Sequence, residues 1–219
     1  KLRWFAARAT PHAPVIVLLH QGLGSITQWR SFPAALAAAT DCAVLAYDRL
    51  GHGRSARLSG PRQPDFLDRE AKEVLPAILD AVGIERPLLY GHSDGATIAL
   101  MFAAAFPDRP QAVISEAAHV FSEVEANGGI AQLAADYRTG DLRDRLARHH
   151  GENVDSMFEA WATIWQSPSM SAWSMTERLQ QIRAPLLLIQ GEADEHGSLR
   201  QIETIVSEAG GPTDTFLLP

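Results

Sequence analysis

LLYGHSDGATIAL, residues 88–100, passes from an apolar tetrad through two glycines flanking a serine and into an alanine-rich tail. The tetrad has the length and character of a short buried strand and the tail is a good helix former, so Ser93 sits at the corner between them. Such a corner presents a side chain at the C-terminal end of a strand on strained backbone, and Gly91 and Gly95 remove the side chains that would collide there. A purely structural strand-to-helix turn has no need of a serine, so the corner reads as a device for exposing the hydroxyl. A helix beginning at Asp94 adds unpaired N–H groups and a positive dipole end, and both favour a developing oxyanion.

Short apolar runs recur on either side: VIVLL (15–19), CAVLAY (42–47), PLLYG (87–91), QAVISEA (111–117), PLLLIQ (185–190) and DTFLLP (214–219). Runs that are apolar throughout mark strands covered on both faces, as in a mainly parallel sheet. Between them, Leu67, Ala71, Val74, Leu75, Ile78, Leu79 and Val82 recur at helical spacing, with Gly83 as the stop. The alternation predicts an α/β fold with a doubly wound, mostly parallel sheet. From Phe121 to Ile182 the strand rhythm lapses into helical patterns such as GIAQLAADYRTGDLRDRLARHH and SMFEAWATIW. This divides the chain into a core, 1–120 and 183–219, and a helical insertion, 121–182. Trp161 and Trp165 share one face of an insertion helix, where they pack it onto the core, line a ligand pocket, or do both.

The net charge of −7 leaves no basic stripe for nucleic acid, and no run approaches the roughly 20 apolar residues of a membrane helix. Eight histidines fall into no metal-ligand spacing, so neither metal nor cofactor is expected. Cys42 is the single cysteine, which excludes an internal disulfide. A cytoplasmic setting is expected, with secretion left open because the sequence begins at Lys1 without a methionine. Oligomeric state is left open.

In order and spacing, LLHQGLGSITQW, AYDRLGHGRS, YGHSDGATIAL and LLLIQGEADEHG resemble the serine hydrolases of the α/β-hydrolase fold that carry a helical cap, over nearly the whole chain. The resemblance makes Gly91-His92-Ser93-Asp94-Gly95 the nucleophile elbow, with Ser93 as nucleophile. It implies that His20-Gln21-Gly22-Leu23-Gly24 supplies an oxyanion donor, although Gln21 stands where the family more often has glycine. The donors are then the N–H groups of Gly22 and Asp94, or of Gln21 or Leu23 if the loop is rearranged, with His20 bonding the loop structurally. Asp194 in Gly191-Glu192-Ala193-Asp194 orients an imidazole, while Glu192 and Glu195 read as solvated loop charges. Asp48-Arg49 and Gly51-His52-Gly53 match a turn that shapes a loop and carries no chemistry.

A serine needs a base, and in this family the histidine follows the last strand. Here FLLP reads as that strand and the sequence stops at Pro219, while KLRWFAA reads as the family's second strand. Three accounts compete. The chain is a cropped version of a longer enzyme with its C-terminal part missing; or His196, two residues from Asp194, stands in as base; or the protein lacks a triad. His119 follows a strand and lines the pocket, His92 is the motif's variable position, and His12, His52, His149 and His150 read as surface or loop residues. The implied function is cleavage of a small ester, thioester or related acyl substrate through an acyl-enzyme on Ser93. The alternatives are a ligand-binding homologue without catalysis and a carbon–carbon bond hydrolase using the same triad. Serine at the elbow argues against the dehalogenase and epoxide hydrolase chemistries of this fold, which use a carboxylate nucleophile.

Overall fold

The computed structural model describes residues 1–6 and 13–219, with residues 124–128 as helix backbone. His12 lies outside the described residues. Seven strands form one sheet: β1 (Leu2–Ala6), β2 (Val15–Leu19), β3 (Ala43–Tyr47), β4 (Leu88–His92), β5 (Ala112–Glu116), β6 (Leu186–Gly191) and β7 (Thr213–Leu218). Their order is β1-β3-β2-β4-β5-β6-β7. Only β1 runs antiparallel, pairing Leu2 with Tyr47 through a bulge between Trp4 and Ala6, and every other pairing is parallel. All six apolar runs are strands, and the mostly parallel sheet is as expected. Strands β2 and β3 are buried along their whole length because both faces are covered. Val15, Val17 and Leu19 enter the larger core cluster and Ile16 and Leu18 the smaller one, as the two-residue period of a strand requires.

Helix α1 (Phe32–Thr40) follows β2, and α2 (Phe66–Arg69), a π turn (Glu70–Val74) and α3 (Leu75–Ala81) precede β4. The spacing predicts one helix over 66–82, and the chain there is helical but widened in the middle. Pro76 explains the widening: it has no amide hydrogen, and its ring would meet the carbonyl four residues back. Helix α4 (Asp94–Ala105) is buried from Asp94 through Ala104, its small residues letting it lie close on the sheet.

Beyond β5 come α5 (Val124–Thr139), α6 (Leu142–His150), a 3-10 turn (Gly151–Asn153), α7 (Val154–Trp165), α8 (Pro168–Ser171) and α9 (Thr176–Leu179). The excursion of α5–α8 is pinched at its base by an antiparallel bridge between Phe121 and Ser174. The Ser122 N–H donates to the Trp173 carbonyl at 2.9 Å and the Met175 N–H to the Val120 carbonyl at 2.8 Å. Helix α9 packs instead against α4 and α10 (Arg200–Glu208), which precedes β7. Leu187, Phe216, Leu217 and Leu218 on β6 and β7 are exposed. Among the described residues no helix is long and apolar enough to cross a membrane.

Candidate active site

Ser93 joins β4 to α4 with φ 53° and ψ −121°, a conformation that few non-glycine residues adopt. Its N–H donates to the Glu116 carbonyl at 2.9 Å, and its carbonyl accepts the Thr97 N–H at 3.0 Å. A Cβ on Gly91 would collide with the Gly95 carbonyl, and one on Gly95 with the Leu19 carbonyl. The strained corner therefore exists only because both neighbouring positions lack side chains. Asp94 opens the helix, so its N–H has no intrahelical partner.

Ser93 opens into a cavity of about 300 Å³. Its lining includes Gln21, Gly22 and Leu23 of the loop after β2, then His92, Asp94 and His119, and Ile130, Leu133, Leu146, Trp161 and Trp165 of helices α5–α7. Gln21, Leu23, His92, His119, Trp161 and Trp165 all border this cavity. A Cβ on Gly22 would collide with Nε1 of Trp161, so the bare glycine makes room for the indole. Trp165 lies edge-on to His119 at 5.8 Å, to Trp173 at 6.0 Å and to Phe66 at 6.3 Å. The two tryptophans both pack the helices and face the cavity.

Asp194 follows β6, its Oδ1 accepting the His196 backbone N–H at 2.8 Å and its Oδ2 the Gln190 Nε2 at 2.9 Å. It bonds His196 through the main chain, while that imidazole reaches the Ser93 cavity and lies against Gly129 of α5. The ring is thus not bonded to the Asp194 carboxylate, which disfavours the account in which His196 stands in as base. Asp194 borders a neighbouring groove of about 370 Å³ with Glu116, Gln190 and Leu218. His92 borders both spaces, whereas Ser93 borders only the first and Asp194 only the second.

Three successive carbonyls of the loop after β2 are held by imidazoles. His20 Nδ1 donates to the Gln21 carbonyl at 2.8 Å, His52 Nε2 faces that of Gly22 at 2.9 Å, and His150 Nε2 donates to that of Leu23 at 3.1 Å. His20 thus bonds the loop, as read from the sequence. His52 and His150 are corrections: both are buried, because the loop carbonyls and the Gly53 N–H need partners in a place water does not reach. His149 bonds Thr27 Oγ1 at 2.9 Å. Burial, reinforced by the Arg49 charge, holds His20 and His52 well below the ordinary imidazole range. A neutral His52 between the carbonyls of Leu50 and Gly22 donates to one at a time.

The turn after β3 shapes the same loop. Asp48 accepts the N–H groups of Ile26 at 2.7 Å and Arg54 at 3.0 Å. Arg49, assigned no chemistry from sequence, donates from Nη2 to the Gln21 carbonyl at 2.8 Å. Glu123 was missed as well. Burial alone would raise its carboxyl, but hydrogen bonds from Ser198 and Gln201 hold it below the ordinary value. Its partners lie 75 and 78 residues away, so no local pattern announces them. His119 carries a buried Nδ1 with no partner among the described residues; burial lowers its pKa against the opposing charges of Asp94, Asp194 and Glu123.

Residues 14–171 match a family model described as alpha/beta hydrolase fold. Over 101 residues the chain is 36% identical to "Epoxide hydrolase B" of Mycobacterium tuberculosis, covering 46% of this chain and 28% of that protein. Over 94 residues it is 37% identical to "Putative carbamate hydrolase RutD" of Azorhizobium caulinodans, covering 42% of this chain and 33% of that protein. The chain thus spans about a third or less of the length of these curated relatives. Among solved structures, a 2-hydroxy-6-oxo-6-phenylhexa-2,4-dienoate hydrolase from a Rhodococcus strain superposes with a TM-score of 0.79 at 18% identity, over 95% of this chain and 83% of that one. The enol-lactonase of Burkholderia xenovorans superposes at 0.73 with 22% identity, over 99% and 87%. At such identities the likeness establishes the fold.

Proposed function

The chain belongs to the alpha/beta hydrolase fold family, and from that membership we propose that it is a serine hydrolase acting on a small ester, thioester or related acyl substrate. The observation that carries the reading is Ser93, held at φ 53° between β4 and α4 and open to the cavity. Ser93 Oγ attacks the acyl carbonyl, and the N–H groups of Gly22 and Asp94 bind the oxyanion. The leaving alcohol or thiol departs, and water then releases the acyl group from Ser93. The Ser93 proton passes to an imidazole that Asp194 orients and that then gives it to the leaving group; none of the described histidines stands in that position. Neither His119, packed edge-on against Trp165, nor His196, turned toward α5, favours that position.

Helices α5–α8 act as the cap, closing the cavity with aliphatic side chains and the two indoles. A volume near 300 Å³ with apolar walls suits a small acyl group rather than a polymer or a long lipid chain. An activated phosphonate should label Ser93, and a nitrophenyl ester should turn over; Ser93→Ala should lose both while keeping its circular dichroism. A wild-type enzyme that resists labelling, or a Ser93→Ala variant that still turns over, would overturn the reading. Ligand-dependent stabilisation without either reaction would place the protein among non-catalytic binders.

A further inference from the structure

Behind the loop that would bind the oxyanion, the third imidazole comes from a different part of the fold. His20 and His52 belong to the core, whereas His150 is the last residue of α6. Its Nδ1 accepts the Gly53 N–H at 3.0 Å, which leaves the proton on Nε2 for the Leu23 carbonyl at 3.1 Å. The ring is 2% exposed and meets His52 edge-on at 6.0 Å. The turn that follows docks on the same segment, Asn153 Nδ2 donating to the carbonyls of Ser55 at 2.9 Å and Gly53 at 3.3 Å.

Peptide geometry carries the consequence forward. In a trans peptide the carbonyl and the next N–H point in opposite directions. Holding the Leu23 carbonyl therefore aims the Gly24 N–H, which donates to the Gln21 carbonyl at 2.9 Å. That carbonyl, also held by His20 and Arg49, fixes the peptide that carries the Gly22 N–H. One ring on a cap helix is thus linked to the proposed oxyanion donor through two peptides.

We propose that His150 is a positioning residue through which docking of the cap assembles the oxyanion hole, a role that rests on the Ser93 reading. With the cap seated, the Gly22 N–H faces the cavity; when α6 lifts, the Leu23 carbonyl loses its donor and the loop relaxes. Substrate enters through the lifted state and reacts in the seated one, so acyl transfer waits on closure.

The test compares His150→Leu, which removes the donor, with His150→Gln, whose amide can still reach the Leu23 carbonyl, in the full-length enzyme. Nitrophenyl ester turnover and the rate of Ser93 phosphonylation are read alongside histidine nitrogen NMR of the wild type. His150→Leu should lower kcat and the labelling rate about tenfold or more with KM within about twofold, and His150→Gln should restore most of the loss. The NMR should show His150 protonated on Nε2 alone, a result that needs no variant to fold. Labelling unchanged in a folded His150→Leu, no rescue by glutamine, or a proton on Nδ1 would each overturn the brace while leaving Ser93 in place. A wild type that never labels would instead overturn the Ser93 reading.

Discussion

Arg49 and Asp94 face each other across 3.9 Å in the interior, 2% and 4% exposed, one on the turn after β3 and the other opening α4 beside Ser93. The gap is too wide for a hydrogen bond, and Nε and Nη1 of Arg49 and Oδ2 of Asp94 have no such partner among the described residues. Removing one member of a buried pair strands the other, at a typical cost of about 3–5 kcal/mol. Arg49→Met should therefore lower the unfolding free energy by about that amount in urea titration. It should also slow Ser93 labelling, because the Gln21 carbonyl loses a donor. A loss under about 1 kcal/mol would mean that the pair contributes little.

The elbow stores strain that can be measured. A non-glycine residue held in such a conformation costs on the order of 1–3 kcal/mol, and Ser93→Ala keeps that cost while Ser93→Gly releases it. After allowing for glycine's extra chain entropy, Ser93→Gly should be more stable than Ser93→Ala by about 1 kcal/mol, although both lack the nucleophile. Equal midpoints in chemical denaturation would show that the corner is unstrained.

What the sequence reveals depends on how local the cause is. Gly91, Ser93 and Gly95 lie within one turn, and the strands announce themselves through continuous apolar runs, so the sheet and its corner are readable from neighbours alone. The brace on the loop after β2 is different, because Leu23 and His150 are 127 residues apart. Helix α6 ends in Arg148-His149-His150, the basic residues that a helix C-terminus attracts, and this pattern disguised a buried ring as a solvated charge. Arg49 was hidden in a motif that reads as a turn, and Glu123 owes its setting to Ser198 and Gln201 on a later segment. Asp194 stands out by its motif, but that it borders a different groove from Ser93 depends on how β6 and its following loop pack in the fold, which no spacing encodes.

Gly22 and Trp161 form a second testable pair. A methyl on Gly22 would meet the indole Nε1, so Gly22→Ala must displace either the loop or the tryptophan. Moving the loop misdirects a proposed oxyanion donor, and loss of one such donor costs about a hundredfold in rate. The smaller ring of Trp161→Phe makes room. Gly22→Ala with Trp161→Phe should recover at least about tenfold of the lost labelling rate, a coupling that independent sites would not show. Strictly additive losses in the double variant would count against the contact.

Acidification should unlock the imidazoles. His20 and His150 each accept an N–H on one ring nitrogen, from Arg49 and Gly53, so a second ring proton would break a bond it now makes. Burial lowers all three pKa values below 6.5, joined at His20 by Arg49, His52 and His150, at His52 by Arg49 and Arg62, and at His150 by His149, with Asp48 opposing. The folded state thus binds fewer protons than the unfolded chain once the pH drops below 6.5. Stability from these rings is complete above that value and declines as pH falls toward the folded pKa values. With a ring that stays neutral worth up to about 1.4 kcal/mol per pH unit, the unfolding free energy should fall between pH 7.5 and about pH 5.5. Glu123, held below the ordinary carboxylate range, titrates beneath this window, whereas His119 and His149, also lowered by burial, add to the slope and Glu70, raised by burial, opposes it. Urea titrations across that interval measure the slope, and His150→Gln should reduce it by removing one of the contributing groups. A flat profile would mean that the rings accept protons in the folded state at little cost.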